Sequence, residues 1–213
     1  MSSKLIYFVR HGESEQNVAG IRQGPAGKLS ELGHAQASIT AKKFPKKKGR
    51  PEVIISSPYE RARETAEIIA VELGMQVELC DLLVERRNPT EIIGRSIDEP
   101  EVKRIVAQMD RTFHEDSFRY SDEENFTDLK ERARKLLKYI RRRREKRIIM
   151  VTHMNFLKMV IAYMLEGQAL TASLYNTLSF FNPIDNAGMT IVKYIPHWFR
   201  RDEWKVVAWN DEA

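Results

Sequence analysis

Lys4-Leu5-Ile6-Tyr7-Phe8-Val9-Arg10-His11-Gly12-Glu13-Ser14 is the stretch on which the reading of this chain turns. Lys4–Val9 is a short apolar run of the length of a buried strand, and it stops abruptly at Arg10-His11-Gly12. The same shape recurs twice downstream. Val53–Ser56 is a second strand, closing on Ser56-Ser57 with Arg61 one turn into the helix that follows. Arg147–Thr152 is another, closing on His153 with a helix over Met154–Leu165 behind it. Strands alternating with helices predict a mostly parallel central sheet covered on both faces, a three-layer α/β/α sandwich. In such sheets ligands bind beyond the carboxyl ends of the strands. His11, His153, Arg10 and Arg61 would therefore converge on one place, with two helix amino ends aimed at it. Free N–H groups and the helix dipole bind phosphate, and guanidinium groups add planar, charge-assisted hydrogen bonds. Placement alone points to an anion site with imidazoles in it.

The remaining elements follow from capping and periodicity. Asn17–Leu29, with Gly20, Gly24, Pro25 and Gly27, reads as loop, and Ser30 as the cap of a helix running to about Phe44. Ser57-Pro58-Tyr59-Glu60 reads as a helix start, with a capping serine, proline at the first position and glutamate at the third. Gly74 should end that helix, and Met75–Leu79 is a third strand. Residues 86–124 are polar, acidic in patches and interrupted by Pro89 and Pro100; they predict an inserted loop-and-helix segment forming a cap. From Thr127 a helical stripe leads into an arginine run. The tail alternates like β-structure over Thr177–Asn182, Met189–Ile195 and Lys205–Trp209, with a turn at Asp185–Gly188.

With 213 residues and 42% hydrophobic content, the chain is long enough for one domain over 1–213 with a sizeable core. No apolar run approaches the ~20 residues needed to cross a bilayer, and the N-terminus does not read as a signal peptide. Cytoplasmic location is the expectation, without membrane insertion. A single cysteine, Cys80, leaves no pair for an intramolecular disulfide and no cysteine-based metal site. Residues 42–50 and 141–147 together carry +11 against a chain total of +5, so the basicity is local. Solvated surface is the ordinary meaning of such runs. With Phe44 their only aromatic, they do not predict nucleic-acid binding by base stacking. Both runs precede strands whose carboxyl ends carry the candidate site, which puts them at the opposite end of the sheet.

LIYFVRHGESEQN resembles the motif of the histidine phosphatase superfamily, which includes the cofactor-dependent phosphoglycerate mutases. GKLSELGHAQA, VIISSPYERARETA, LLVER and VTHMNFLK are similar too, and in the family's order. They cover roughly 4–85 and 125–182 and leave 86–124 unmatched. The resemblance implies a phosphoglycerate mutase-like fold and a phosphohistidine intermediate, with no metal and no organic cofactor. It makes His11 the nucleophile, its second ring nitrogen held by a backbone carbonyl. It makes Arg10, Arg61 and His153 the clamp on the phosphoryl oxygens and Glu85 the acid that protonates the leaving oxygen and then activates water. Asn17 would add a hydrogen bond to the phosphoryl group, and Gly12 would let the backbone approach it. Gln23 and Met154 would line the substrate mouth. Glu13 belongs to the motif but stands behind the site, and His34, His114 and His197 fall in no motif.

Family mutases follow the equivalent of Glu85-Arg86 with a glycine- and tyrosine-containing segment. Here the continuation is Arg87-Asn88-Pro89-Thr90-Glu91-Ile92-Ile93-Gly94. The expectation is therefore a phosphomonoester hydrolase acting on a small phosphorylated metabolite. Phosphoglycerate mutase and phosphoprotein phosphatase are the alternatives. A binding module without catalysis is disfavoured because His11 and Glu85 are both present. The sequence leaves open the identity of the substrate, the oligomeric state (a dimer included) and the role of the basic runs.

Overall fold

The protein is described by a computed structural model covering residues 2–211, apart from 114, 116, 181–182 and 200–201. Six strands form one sheet: β1 (Lys4–Arg10), β2 (Val53–Ser56), β3 (Val77–Leu79), β4 (Arg147–Thr152), β5 (Met189–Ile195) and β6 (Glu203–Asp211). Their order across the sheet is β3-β2-β4-β1-β5-β6. The pairs among β1 to β4 are parallel, whereas β5 and β6 add to β1 as an antiparallel edge.

Successive side chains of a strand point to opposite faces, and both faces of this sheet are apolar. Ile6, Phe8, Ile148 and Met150 enter one core, which is filled from helices α5 (Phe126–Arg142) and α6 (Met154–Glu166). Tyr7, Val9, Ile149 and Val151 enter the other, beneath α2 (Glu31–Lys43) and α3 (Glu60–Leu73). Continuous apolar strands buried on both sides are what a covered parallel sheet requires. The predicted three-layer architecture is present.

Several boundaries match the caps read from sequence. Ser30 accepts the Gly33 N–H and Gly74 closes α3 in the left-handed conformation at φ 59°. Others differ. A one-turn helix, α1 (Glu15–Val18), takes in Asn17 and Val18, the first two residues of the predicted loop, because a capping box between Ser14 and Asn17 closes the turn. Helix α3 begins at Glu60 with Tyr59 as its cap, and Ser57 stays in the strand exit. Pro100, read as an interruption, is the first residue of α4 (Pro100–Thr112), a position where its missing N–H costs nothing.

Residues 172–180 form α7 (Ala172–Phe180), so the strand expected from Thr177 is overturned as far as Phe180. The remainder of that expectation, 181–182, lies outside the described residues, as does His114. The cause is packing. Ala172 and Tyr175 are buried in the core under α6, three residues apart on one helical face, while the Thr171 hydroxyl accepts the Leu174 N–H. Helical burial outweighs the local alternation that suggested β-structure.

Residues 86–124 build a small core of their own from Ile92, Val102, Ile105 and Met109. This segment clips onto the loop after α1. Ser96 bridges Ile21, and the backbones of Gly94, Arg95 and Ile97 exchange hydrogen bonds with Arg22 and Gly20 of that loop.

Candidate active site

Strands β1 and β4 run side by side in register, Arg10 opposite Thr152, so the next residues, His11 and His153, emerge together at the carboxyl edge. Their ring centroids are 5.0 Å apart. Connections from these two strands leave to opposite faces of the sheet, and the opening between them is where such sheets bind ligands. The cavity there encloses about 230 Å³, with Arg10, His11, Arg61 and Glu85 in its wall.

His11 is fixed from every side. Its backbone N–H donates to Thr152 and its carbonyl accepts from the Ala187 N–H and from Asn186 Nδ2. Ala187 holds φ 57°, a left-handed conformation that costs an L-residue roughly 1 kcal/mol or more. On the ring, Nδ1 lies 2.7 Å from the Gly12 carbonyl, an acceptor, so Nδ1 carries the proton and donates. Nε2 is left with its lone pair and accepts from Arg61 Nε at 3.1 Å. Burial, then the charges of Arg61 and Arg10, hold the imidazole well below its ordinary value near 6.5. It is a neutral base at physiological pH.

Arg61 is itself buried, and burial pushes its guanidinium down to about 10, still cationic at neutral pH; Nη1 donates to the Gly24 carbonyl. Arg10 Nη1 donates to the Ile184 carbonyl. His153 Nε2 is 2.9 Å from Ser57 Oγ, and burial followed by Arg61 and His11 keeps this ring neutral too. Four buried side-chain polar atoms among the described residues lack a partner: Arg10 Nε, Gln16 Oε1, Arg22 Nε and His153 Nδ1. All four residues stand at or behind the wall of this one cavity. Buried polar atoms are otherwise satisfied in folded proteins, so the cavity is built for a polar ligand.

Glu85 reaches the cavity from beyond β3 and sits on the amino end of α6. It accepts from the backbone N–H groups of Arg86, Asn155 and Phe156 and from Asn155 Nδ2. The loop that presents it is held by Arg132 of α5, which donates to the carbonyls of Leu82, Val84 and Glu85 and pairs with Glu124 at 2.6 Å. Both of those side chains are largely buried, and Arg132 stacks on Phe156.

The other residues implied by the motifs take varied places. Asn17 and Gln23 line the cavity, their side-chain oxygens 2.9 and 3.0 Å from the Ser14 hydroxyl, whose one proton serves either, while Asn17 Oδ1 also accepts the Ser14 N–H; both amide nitrogens are left as the free ends. Met154 lines it as well. Gly12 is claimed by packing: its N–H donates to Thr65 Oγ1, and a Cβ on it would lie 2.5 Å from the Gly33 carbonyl oxygen. The contact with Gly33 by itself requires glycine at this position. Glu13 accepts the Ser30 hydroxyl and does not line the cavity. His34 is exposed and His197 faces Glu203, both away from the cavity. Asn155, Arg22 and Arg132 carry no signal in the sequence that singles them out, and Ser57 is noted there only as a strand end and helix start. Ser57 is hidden by its resemblance to a helix cap, and Arg132 by lying within an ordinary amphipathic helix.

A sequence profile of the histidine phosphatase superfamily (branch 1) matches residues 6–212. The chain belongs to the histidine phosphatase superfamily. A Hydrogenobacter thermophilus protein provisionally named phosphoserine phosphatase 2 is 30% identical over 198 residues, 88% of each chain. A 2,3-bisphosphoglycerate-dependent phosphoglycerate mutase of Chelativorans is 32% identical over 108 residues, 48% of this chain and 51% of that one. A solved mycobacterial glucosyl-3-phosphoglycerate phosphatase superimposes with TM-score 0.77 at 23% identity, covering 98% of this chain and 100% of that one. Fold and family are thus as the motifs implied. No helix among the described residues is long and apolar enough to cross a membrane.

Proposed function

We propose that the protein is a phosphomonoesterase that transfers a phosphoryl group from a small phosphorylated metabolite to His11 and then to water. One observation carries the reading: Nδ1 of His11 donates to the Gly12 carbonyl, which leaves Nε2 unprotonated at the cavity wall beside two guanidinium groups. An imidazole held in that tautomer is a nucleophile, and the cations beside it favour a phosphate ester over a neutral one.

In the reaction, Nε2 attacks phosphorus and the P–O bond to the alcohol breaks. Arg10, Arg61 and His153 hold the three non-bridging oxygens, and Asn17 adds a hydrogen bond through its amide nitrogen. Glu85 gives its proton to the departing alkoxide. Its carboxylate then takes a proton from water, which attacks the phosphohistidine and returns His11 with inorganic phosphate. The unpartnered Arg10 Nε and His153 Nδ1 support this use. The electrostatic work is done by fixed side chains, so the reading calls for no metal ion.

The cavity of about 230 Å³ fits a phosphate with a few further carbons and favours a metabolite over a phosphoprotein. Residues 86–124 act as the cap, since Asn88 and Ile97 reach the cavity wall from that segment. Gln23 and Met154 contact the body of the substrate. Cytoplasmic location and a single domain over 1–213 go with this reading.

The test is a labelled phosphate ester mixed with enzyme and quenched within a turnover. Acid-labile, base-stable phosphate should remain on the protein, and none on His11→Ala. Activity that EDTA abolishes and a divalent cation restores would overturn the metal-free reading. Assay of phosphoglycerates with and without 2,3-bisphosphoglycerate separates hydrolase from mutase.

A further inference from the structure

At the end of the sheet remote from His11, a cleft of about 1080 Å³ separates the start of β1 and the end of α5 from the β5–β6 hairpin. Arg141–Arg144 form one wall, and Tyr194 and Trp204 the other. Asp202 ties the two together. It pairs with Arg141 at 2.5 Å and accepts from the Tyr194 hydroxyl and the His197 N–H. Much of the basic run is neutralised within the fold. Arg143 meets Glu78 and Glu145, and Arg147 meets Glu52. Lys138, Arg142 and Arg144 are exposed and make no ion pair among the described residues.

The hairpin contributes what the basic runs lack in sequence. Between His197 and Asp202 it presents Trp198 and Phe199, which are 87% and 102% exposed. Phe199 is as open as a residue in an extended chain, so this pair projects from the surface. Single exposed apolar residues are ordinary, but these two adjacent aromatics follow His197, which lines the same cleft as the three unpaired cations, so both groups belong to one end of the molecule. Tryptophan and phenylalanine next to lysine and arginine are the groups that seat a protein in the headgroup layer of an anionic membrane.

We propose that this end of the molecule docks peripherally on an anionic lipid surface, with Trp198 and Phe199 entering the headgroup layer and Lys138, Arg142 and Arg144 facing the charged lipids. A projecting aromatic pair needs a soft phase to receive it, and the cations set the sign of the charge it meets. Each basic residue held near such a leaflet raises partitioning about fivefold. The catalytic cavity opens at the other end of β4, roughly 20 Å away at about 3.3 Å per residue, so a docked molecule keeps it open to substrate. No segment crosses the bilayer in this arrangement.

The experiment is flotation of the full chain with vesicles of phosphatidylcholine alone or with roughly one third phosphatidylserine, at about 0.15 M salt. Binding to the anionic vesicles should exceed that to the neutral ones at least about tenfold, with a blue shift of tryptophan emission. The double variant Trp198→Ser/Phe199→Ser should lose the shift and most of the binding. The triple variant Lys138→Gln/Arg142→Gln/Arg144→Gln should lose the preference for anionic lipid. Turnover of p-nitrophenyl phosphate should be the same in all three proteins. Equal partitioning on the two vesicles, or none, overturns the proposal. Anionic binding undiminished in the double variant also overturns it, and equal capture of single-stranded DNA would then assign the surface to a soluble polyanion.

Discussion

Arg61 donates its Nε–H to Nε2 of His11 at 3.1 Å, the nitrogen that attacks phosphorus in the proposed reaction. The guanidinium thus suppresses protonation of His11, and in that reaction it would hold the phosphate as well. Removing it by Arg61→Met should let the His11 pKa rise, because one of the two cations that depress it is gone. A proton on Nε2 blocks attack. The acid limb of kcat/KM should therefore lie below the ordinary imidazole range in the parent and move upward in the variant. A pH–rate profile with p-nitrophenyl phosphate reads this directly; an acid limb at the same pH in both proteins would contradict the assignment.

The same two histidines fix how stability responds to acid. His11 and His153 are buried neutral, with folded pKa values well below 6.5. Below pH 6.5 the unfolded chain binds protons that the folded chain refuses, so stability is lost as pH falls. The contribution is about 1.4 kcal/mol per pH unit for each histidine. Urea melts between about pH 7 and pH 5 should show this slope, and His11→Asn should reduce it. A flat dependence over that window would mean the rings protonate in the folded state.

Glu85→Gln should strike the chemical step. Loss of a general acid costs ~10²–10⁴ in rate, and the loss should be greater for alkyl phosphates than for p-nitrophenyl phosphate, whose leaving group needs little protonation. Glu91, the carboxylate nearest in sequence beyond Glu85, is exposed on the cap, so Glu91→Gln should leave both rates intact. Full activity of Glu85→Gln on alkyl phosphates would move the acid role elsewhere.

What depends on short-range pattern and on strand ends is legible in the sequence. His11, Arg61 and His153 belong together on sequence grounds alone, because each follows a strand or opens a helix at the same edge of the sheet. What escapes is set by contacts remote in sequence. Ser57 looks locally like a helix cap, and its hydroxyl does accept the Tyr59 N–H two residues on; its second contact, at 2.9 Å to His153, comes from 96 residues away. Helix α7 escapes because its apolar residues alternate locally, while Tyr175 is claimed by a core assembled from α5 and α6. The basic runs do lie at the remote end, but their pairing with Glu52, Glu78 and Asp202 depends on tertiary neighbours. No aromatic lies within or beside them in sequence except Phe44 and Tyr139.

Arg132 offers a test of a residue that acts through another. It holds three carbonyls of the segment ending in Glu85 and pairs with buried Glu124. Arg132→Met leaves Glu124 buried and without that partner, a change that costs about 3–5 kcal/mol when one side of a buried pair is removed. The double variant Arg132→Met/Glu124→Leu should recover much of the stability, since hydrophobic replacement of a whole pair is often neutral. It should not recover turnover of alkyl phosphates, because the Glu85 loop remains unsupported. Recovery of both in the double variant would reduce Arg132 to a structural residue.

Backbones approach tightly beside His11, where Gly12 and Gly33 leave no room for a Cβ on either. Gly33, in the first turn of α2, lies so near the chain after His11 that a Cβ on it would stand 2.0 Å from the Glu13 carbonyl oxygen. Gly12 meets Gly33 from the other side, with its own Cβ position 2.5 Å from the Gly33 oxygen. These obstacles are backbone atoms and cannot swing aside as a side chain would. Gly33→Ala must therefore push α2 off residues 12–14, at the cost of overpacking, about 1–3 kcal/mol. For a chain of this size each kcal/mol lowers Tm by roughly 2–4 °C. The displacement also reaches His11, because the Gly12 carbonyl that would shift is the acceptor for Nδ1. kcat should fall along with stability. Gly74→Ala is the control: Gly74 holds φ 59° with nothing within 4 Å of its Cβ position, so alanine there costs only the left-handed backbone, roughly 1–2 kcal/mol. That variant should lose stability and keep full kcat. If the two substitutions lower kcat and Tm in the same proportion, the glycine pair has no particular bearing on the nucleophile.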